Sequence, residues 1–221
     1  MSKHGVGEKT KTKIINAAGM LAAELGFDNV STRMIAERSG ENIGSIHYHF
    51  GGKDALFEAV VRAIISANSP LMDEMDVKIL DEEHVTPHLL SKFIRKHMHF
   101  LIDKMFLSGN PLWHCQVIYQ LLQFKGELYD IFEREVVVPQ DAIRLKLFRL
   151  VYPDISKEEA ELRGLIMITP VVAHANYMST ILRQLGRKSY SPEYLQMLED
   201  LIVRQTQLLM GLPEEISDIQ E

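Results

Sequence analysis

Nine histidines and a single cysteine are the side chains best suited to hold a metal ion or act as nucleophiles, and their spacing argues against both roles. His97 and His99 stand two residues apart, which on a helix of 3.6 residues per turn swings their rings about 200° from each other. His114 and Cys115 are adjacent and diverge as well. The chain has no Cys-x-x-Cys and no His-Glu-x-x-His to supply converging ligands. It also lacks a glycine-rich phosphate loop and a Gly-x-Ser-x-Gly elbow. The expectation is a protein that is not an enzyme, with no catalytic residue, no metal and no cofactor.

Residues 31–50 carry a different chemistry, the reading of duplex DNA. Ser31 can cap one short helix that ends at Gly40, and Asn42 can cap a second that runs from Ile43 to Phe50. Two such helices joined by a tight turn pack nearly perpendicular, so that the first braces the second in the major groove. Ile35 and Ala36 turn inward from the bracing helix, while Ile46 and Phe50 anchor the reading helix. Between those anchors Ile43, Gly44, Ser45, His47 and Tyr48 fall on or near an outward face. Gly44 is costly inside a free helix, but close to the helix start it allows approach to the sugar-phosphate chain.

The elements that must hold this pair are helical throughout. Residues 9–25 place Ile14, Ala18, Leu21, Ala22 and Leu25 on one face, and Gly26 stops the helix. Gly51 and Gly52 separate the reading helix from a fourth, which starts at Lys53 and buries Leu56, Phe57, Val60 and Ile64, with Pro70 ending or kinking it. The polar, acidic stretch 73–83 is the expected hinge. Beyond it, Thr86-Pro87 opens a helix to Ser108, and Asn110-Pro111 opens another over 112–124. Shorter helices are expected within 127–137 and 140–151. Ser156 and Glu159 form a capping box for a long helix to Leu185, with a kink expected at Pro170, and Ser191-Pro192 opens the last one to Met210. The predicted fold class is all-α: a three-helix N-terminal helix-turn-helix head over residues 1–62, on a larger helical body over 63–221, with about nine helices in all.

Composition agrees with this division. Hydrophobic residues make up 46% and charged residues 24% of the 221, as in an ordinary folded chain. The net charge of −6 is unevenly spread: residues 1–62 carry +1 and the rest −7, and Lys3, Lys9, Lys11 and Lys13 gather at the start. A neutral-to-basic head on an acidic body is compatible with DNA binding by the head alone. One cysteine cannot close an internal disulfide, the first thirteen residues lack the apolar run of a signal peptide, and the apolar stretch 164–182 contains Pro170, His174, Asn176 and Ser179. A cytoplasmic protein without a membrane span is expected.

The continuation Ile46-His47-Tyr48-His49-Phe50-Gly51-Gly52-Lys53-Asp54-Ala55-Leu56, together with Gly26, Ser31-Thr32-Arg33, Ile35-Ala36 and Gly40, resembles the TetR family of transcription regulators over residues 9–62. A weaker resemblance, through residues 46–51 and 166–201, points to its CecR-type (CerR-like) branch. The resemblance implies a phosphate contact and a base contact for Thr32 and Arg33, and that Ile43, Gly44 and Ser45 occupy base-edge positions. It further implies backbone or thymine-methyl contacts for His47 and Tyr48, and a phosphate clamp for Lys53. His47 replaces the family's usual tyrosine, and Glu41 its usual small apolar turn residue. A reading face poor in Arg, Asn and Gln leans on apolar, water-mediated or shape readout.

For the body, the family's interface places dimerisation on the last two helices, through Leu162, Ile166, Thr169, Leu198, Ile202, Gln205 and Leu209. Two helices from each chain would then form a four-helix bundle. Phe100, Met105, Trp113, His114, Tyr119, Phe124, His174 and Tyr177 are the candidates for an apolar effector pocket with a few polar anchors. The expected protein is a homodimeric repressor released from a palindromic double-stranded operator by an unknown small apolar or amphipathic effector. The alternative is a regulator controlled by a protein partner or a metal, without a small-molecule pocket.

Overall fold

The computed structural model describes residues 3–67, 78, 80, 85–123 and 125–214. Every regular element among them is helical: α1 Lys3–Leu25, α2 Thr32–Ser39, α3 Ile43–Phe50, α4 Lys53–Ala67, α5 Pro87–Ile102, α6 Trp113–Leu121, α7 Glu127–Phe132, α8 Val138–Val151, α9 Lys157–Asn176, α10 Met178–Leu185 and α11 Pro192–Met210. The expected hinge over 73–83 lies outside the described residues except for Lys78 and Leu80, and Pro70 lies outside them too.

The chain forms two compact units, one of Met1–Ser69 with Pro111–Val136 and one of Pro70–Asn110 with Val137–Glu221. In the first, α1 is the central element and packs on α2, α4 and α6. Its inward face is Ile14, Ala17, Ala18, Leu21 and Ala22, all buried, and the small residues among them let neighbouring helices come close. Those neighbours contribute Ile35 and Ala36, then Leu56, Val60 and Ile64, then Trp113, Val117 and Leu121. Residues 111–136 therefore share a core with the head.

In the second unit α11 packs along α5, and α9 packs on both α8 and α11. Its core gathers Phe93, Ile94, Met98 and Ile102 from α5, Leu147 and Phe148 from α8, Met167 and Val171 from α9, and Leu195, Ile202 and Val203 from α11. Helix α5 passes into a π-helical turn over Asp103–Leu107, and Gly109 stops it in a left-handed conformation with φ 72°. A second π-helical turn, Glu133–Val137, joins α7 to α8. That looser turn precedes Pro139, whose missing N–H would break the regular α-helical ladder.

One local expectation is corrected. The helix opened by Ser156 breaks not at Pro170 but at Tyr177, where α9 and α10 meet at 72°. The hydroxyl of Tyr190 donates to the His174 carbonyl at 2.9 Å, taking the acceptor that a continuing α-helix would have offered to the N–H four residues on. A side chain thus substitutes for the backbone at this carbonyl, and the chain turns. Among the described residues no single helix is long and apolar enough to cross a membrane; α9 and α10 reach that length and apolarity only jointly, across the bend.

Candidate nucleic-acid interface

The helix-turn-helix is built by local chemistry at its ends. Ser31 Oγ accepts the backbone N–H of Met34 at 3.2 Å and starts α2. Asn42 Oδ1 accepts the N–H of Ser45 at 2.7 Å and starts α3. Gly40 and Gly51 close the two helices with φ of 72° and 82°, a left-handed geometry that side chains with a Cβ resist. Ile35, Ala36 and Ile46 are buried, as their spacing predicts.

Two ion pairs tie this motif to α1. Arg38 grips Glu24 with its two terminal guanidinium nitrogens, each at 2.9 Å, and this hydrogen-bonded pairing holds the Glu24 carboxyl below its usual range. Glu41, the unusual turn residue, lies 3.5 Å from Lys13 Nζ with its own side chain only 20% exposed. The turn therefore packs with a carboxylate because α1 provides a cation for it.

The outward face is plainly defined. Tyr48 is 85% exposed and Ile43 42%, and Arg33, Gly44 and His47 are exposed beside them. Thr32, Ser45 and Lys53 are half-buried. His47 Nδ1 lies 3.3 Å from the Gly51 carbonyl, which can only accept, so in this contact Nδ1 is the donor. Lys53 Nζ donates to the Asp28 carbonyl at 3.5 Å and lies 5.6 Å from the centre of the Phe57 ring. A methyl group on Gly44 would stand 3.0 Å from Asn42 Oδ1, crowding the oxygen that caps α3.

Residues 14–60 match the family model described as bacterial regulatory proteins, tetR family. Over these residues the head is similar to the TetR-family helix-turn-helix domain. The tetracycline repressor protein class A of Escherichia coli is 38% identical over 55 residues, 25% of this chain and 26% of that protein. The transcriptional dual regulator CecR of Shigella flexneri is 41% identical over 58 residues, 26% of each. These matches span about a quarter of the curated relatives' own length. Over nearly the whole chain the fold is similar to a TetR-like transcriptional regulator from Rhodococcus sp. RHA1, with a TM-score of 0.55 at 16% identity, covering 91% of this chain and 96% of that one.

Outside the head the structure separates residues that the sequence groups together. Of the effector candidates, Phe100, Met105 and His174 lie half-buried in the second unit, where Tyr177 is 63% exposed at the helix break. Trp113, His114 and Tyr119 belong to the first unit; the first two are buried there and Tyr119 is 44% exposed. Phe124 lies outside the described residues. Burial pushes the His114 imidazole down to about 4 and the Cys115 thiol up to about 11, so both stay neutral at ordinary pH. Among the described residues no group of three or more His, Cys, Asp or Glu could hold a metal ion.

His174 does sit in a polar cluster, though its partners escaped the sequence reading. Its Nδ1 lies 2.7 Å from the Pro170 carbonyl and its Nε2 3.1 Å from the Tyr194 hydroxyl. Tyr190 and Tyr194 stack with ring centres 5.1 Å apart. These tyrosines flank the Ser191 cap, and their sequence positions carry no signal beyond the helix start.

The dimerisation candidates divide in a similar way. Leu162, Ile166, Thr169, Gln205 and Leu209 are exposed, and Leu165, Leu201 and Leu208 extend the same apolar surface at 58%, 62% and 61% exposure. Leu198 and Ile202 are buried core residues of the second unit, and Ile202 forms the floor of a groove that Leu162, Ile166, Gln205 and Leu209 also line.

Proposed function

We propose that this protein is a homodimeric transcriptional repressor, with residues 1–62 binding one half-site of a palindromic operator and residues 63–221 pairing the two chains and responding to a small effector. The observation that carries the reading is the exposed face of α3, held rigidly by two capped ends inside a TetR-family head. Such a head alone makes few base contacts, and a symmetric pair can read half-sites roughly 34–36 Å apart. The exposed leucines of α9 and α11 supply a surface for that pairing, and the named function of the tetracycline repressor supports the repressor sign.

In this reading Thr32, Arg33 and Lys53 position the phosphates, while Ile43, Gly44, Ser45, His47 and Tyr48 face the base edges and thymine methyls. The CecR-type branch remains the favoured relationship for the head. The protein acts in the cytoplasm and carries out no catalysis.

Selection of bound fragments from the source genome by the purified full-length protein tests the proposal. Enrichment of one inverted-repeat sequence, with half-sites one helical turn apart or a multiple of it, is the expected result. Recovery of fragments without a shared sequence, bound no more tightly than random duplex, overturns it.

A further inference from the structure

His47 sits on the reading helix in a way that ties its hydrogen bonding to its charge. It is exposed in the last turn of α3, next to Tyr48. Its Nδ1 lies 3.3 Å from the Gly51 carbonyl, so the N–H at that nitrogen is engaged within the protein. The other ring nitrogen, Nε2, is left for whatever the helix meets. A neutral imidazole carries hydrogen on one nitrogen only, so with Nδ1 donating, Nε2 can only accept. In the imidazolium both nitrogens donate.

The helices packed against α3 are α2 and α4. Their charged groups are Arg33, Glu37 and Arg38 on α2, and Lys53, Asp54, Glu58 and Arg62 on α4. Arg38 is paired with Glu24, Arg62 with Glu58 and Glu135, and Lys53 donates to the Asp28 carbonyl. Glu41, in the turn before α3, is paired with Lys13. On α3 itself Tyr48 and His49 hold their rings 5.0 Å apart. Among the described residues none of these groups forms a hydrogen bond or ion pair with the His47 ring. The strongest charges it can meet are those that arrive with DNA, whose backbone is a dense row of anions. Phosphate oxygens, guanine O6 and N7, adenine N7 and thymine O4 all accept hydrogen bonds. A neutral ring bonded to Gly51 has no N–H to offer them.

We propose that His47 takes up a proton as α3 enters the major groove, and that its Nε2–H then donates to an acceptor of the DNA. This rests on the operator reading and gives His47 a charge-dependent contact within it. The proton comes from solvent and stays on the ring in the complex. Because the bound state holds more protons than the free one, operator affinity rises as pH falls through the range in which imidazoles titrate. The amino groups of cytosine and adenine would suit the neutral ring instead, and they require the opposite dependence.

Calorimetric titration of the operator obtained by fragment selection into the full-length protein, near neutral pH and in two buffers of different ionisation heat, counts the protons directly. The parent takes up about one proton per head, and its affinity rises about tenfold between about pH 8 and about pH 6.5. His47→Gln offers an N–H at every pH, so it binds with little proton uptake and a flattened pH dependence. His49 is present in both proteins, so the difference between them belongs to His47. Random duplex locates the acceptor: a pH dependence shared with operator marks a phosphate oxygen, and one confined to operator marks a base edge. Proton uptake that is undiminished in His47→Gln overturns the proposal, as does affinity that rises with pH. A protein that recovers no shared sequence fails the operator reading and this contact with it, whereas tight operator binding without proton uptake fails this contact alone.

Discussion

Gly19 of α1 and Trp113 of α6 compete for one volume: a methyl group on Gly19 would overlap the indole ring at Cε3. Trp113 is only 5% exposed and its flat ring cannot bend aside, so the glycine is the condition for the indole to lie against α1. Glycine inside a helix costs roughly 1 kcal/mol relative to alanine, and here that cost secures close packing.

Gly19→Ala is therefore expected to destabilise the protein although alanine is the better helix former. Overpacking costs about 1–3 kcal/mol, and this clash against a rigid ring belongs at the upper end, so the net loss is about 2 kcal/mol. Thermal melting checks it, and the fluorescence of the chain's one tryptophan reports the same site. Trp113→Phe combined with Gly19→Ala is expected to lose less than the two single losses added, as coupling between neighbours requires. A Gly19→Ala protein melting at or above the parent temperature removes this account of the contact.

This pair also shows what was legible in the sequence and what was not. Residues 31–53 were readable because their signals are local: Ser31 and Asn42 bond to N–H groups three residues on, and Gly40 and Gly51 adopt the turns their type permits. The packing of Trp113 against α1 was not readable, because nothing near it in sequence mentions Gly19. The bend at Tyr177 was hidden for the same reason, since its cause is a hydroxyl on Tyr190. Pro170 was the local signal, and the nonlocal bond decided where the chain turns. On α11, period alone could not tell Leu198 and Ile202, which face the core, from Leu201 and Leu209, which do not.

Acid is expected to loosen the protein through two neutral histidines. Burial pushes His97 down to about 4, with the charge of Arg144 adding to the effect, and burial alone does the same to His114. In the unfolded chain both titrate near the ordinary value of about 6.5. The unfolded state thus binds more protons between these values, and stability that is whole above about pH 6.5 is lost as pH falls toward 4. Each histidine accounts for up to about 2 kcal/mol by pH 5. Melting curves between pH 7.5 and 5 measure the slope, and His97→Leu with His114→Leu should flatten it. An unchanged slope in that double variant assigns the acid sensitivity elsewhere.

On DNA, Lys53→Ala and Tyr48→Ala are expected to fail in different ways. Lys53 stands at the N-terminus of α4 with its ammonium held near the Asp28 carbonyl, a fixed position for clamping a phosphate. Its loss should weaken all duplexes alike and lower the salt slope of log affinity by about 0.9 per bound head. Tyr48, 85% exposed on the reading helix, should affect the operator more than random duplex, by about 1–3 kcal/mol. Titrations of both variants on operator and random duplex at several salt concentrations separate the two patterns. If Lys53→Ala keeps the parent's salt slope, the clamp is misassigned.

The pairing surface can be tested by setting two leucines of one helix against each other. Leu201 is 62% exposed on α11, whereas Leu198, less than one turn away, is 9% exposed and belongs to the core. In a twofold interface each residue meets its own surroundings from the partner, so Leu201→Glu introduces two carboxylates into the same apolar seam. Burying them unpaired is strongly unfavourable, and the protein should sediment as a folded monomer with unchanged helical circular dichroism. Operator affinity should then fall by a factor of 100 or more, because two separate heads lose the advantage of being linked, worth roughly 10²–10⁴ in avidity. Leu198→Glu should instead unfold the second unit, since its charge enters the apolar core. A Leu201→Glu protein that still sediments as a dimer places the interface away from this face of α11.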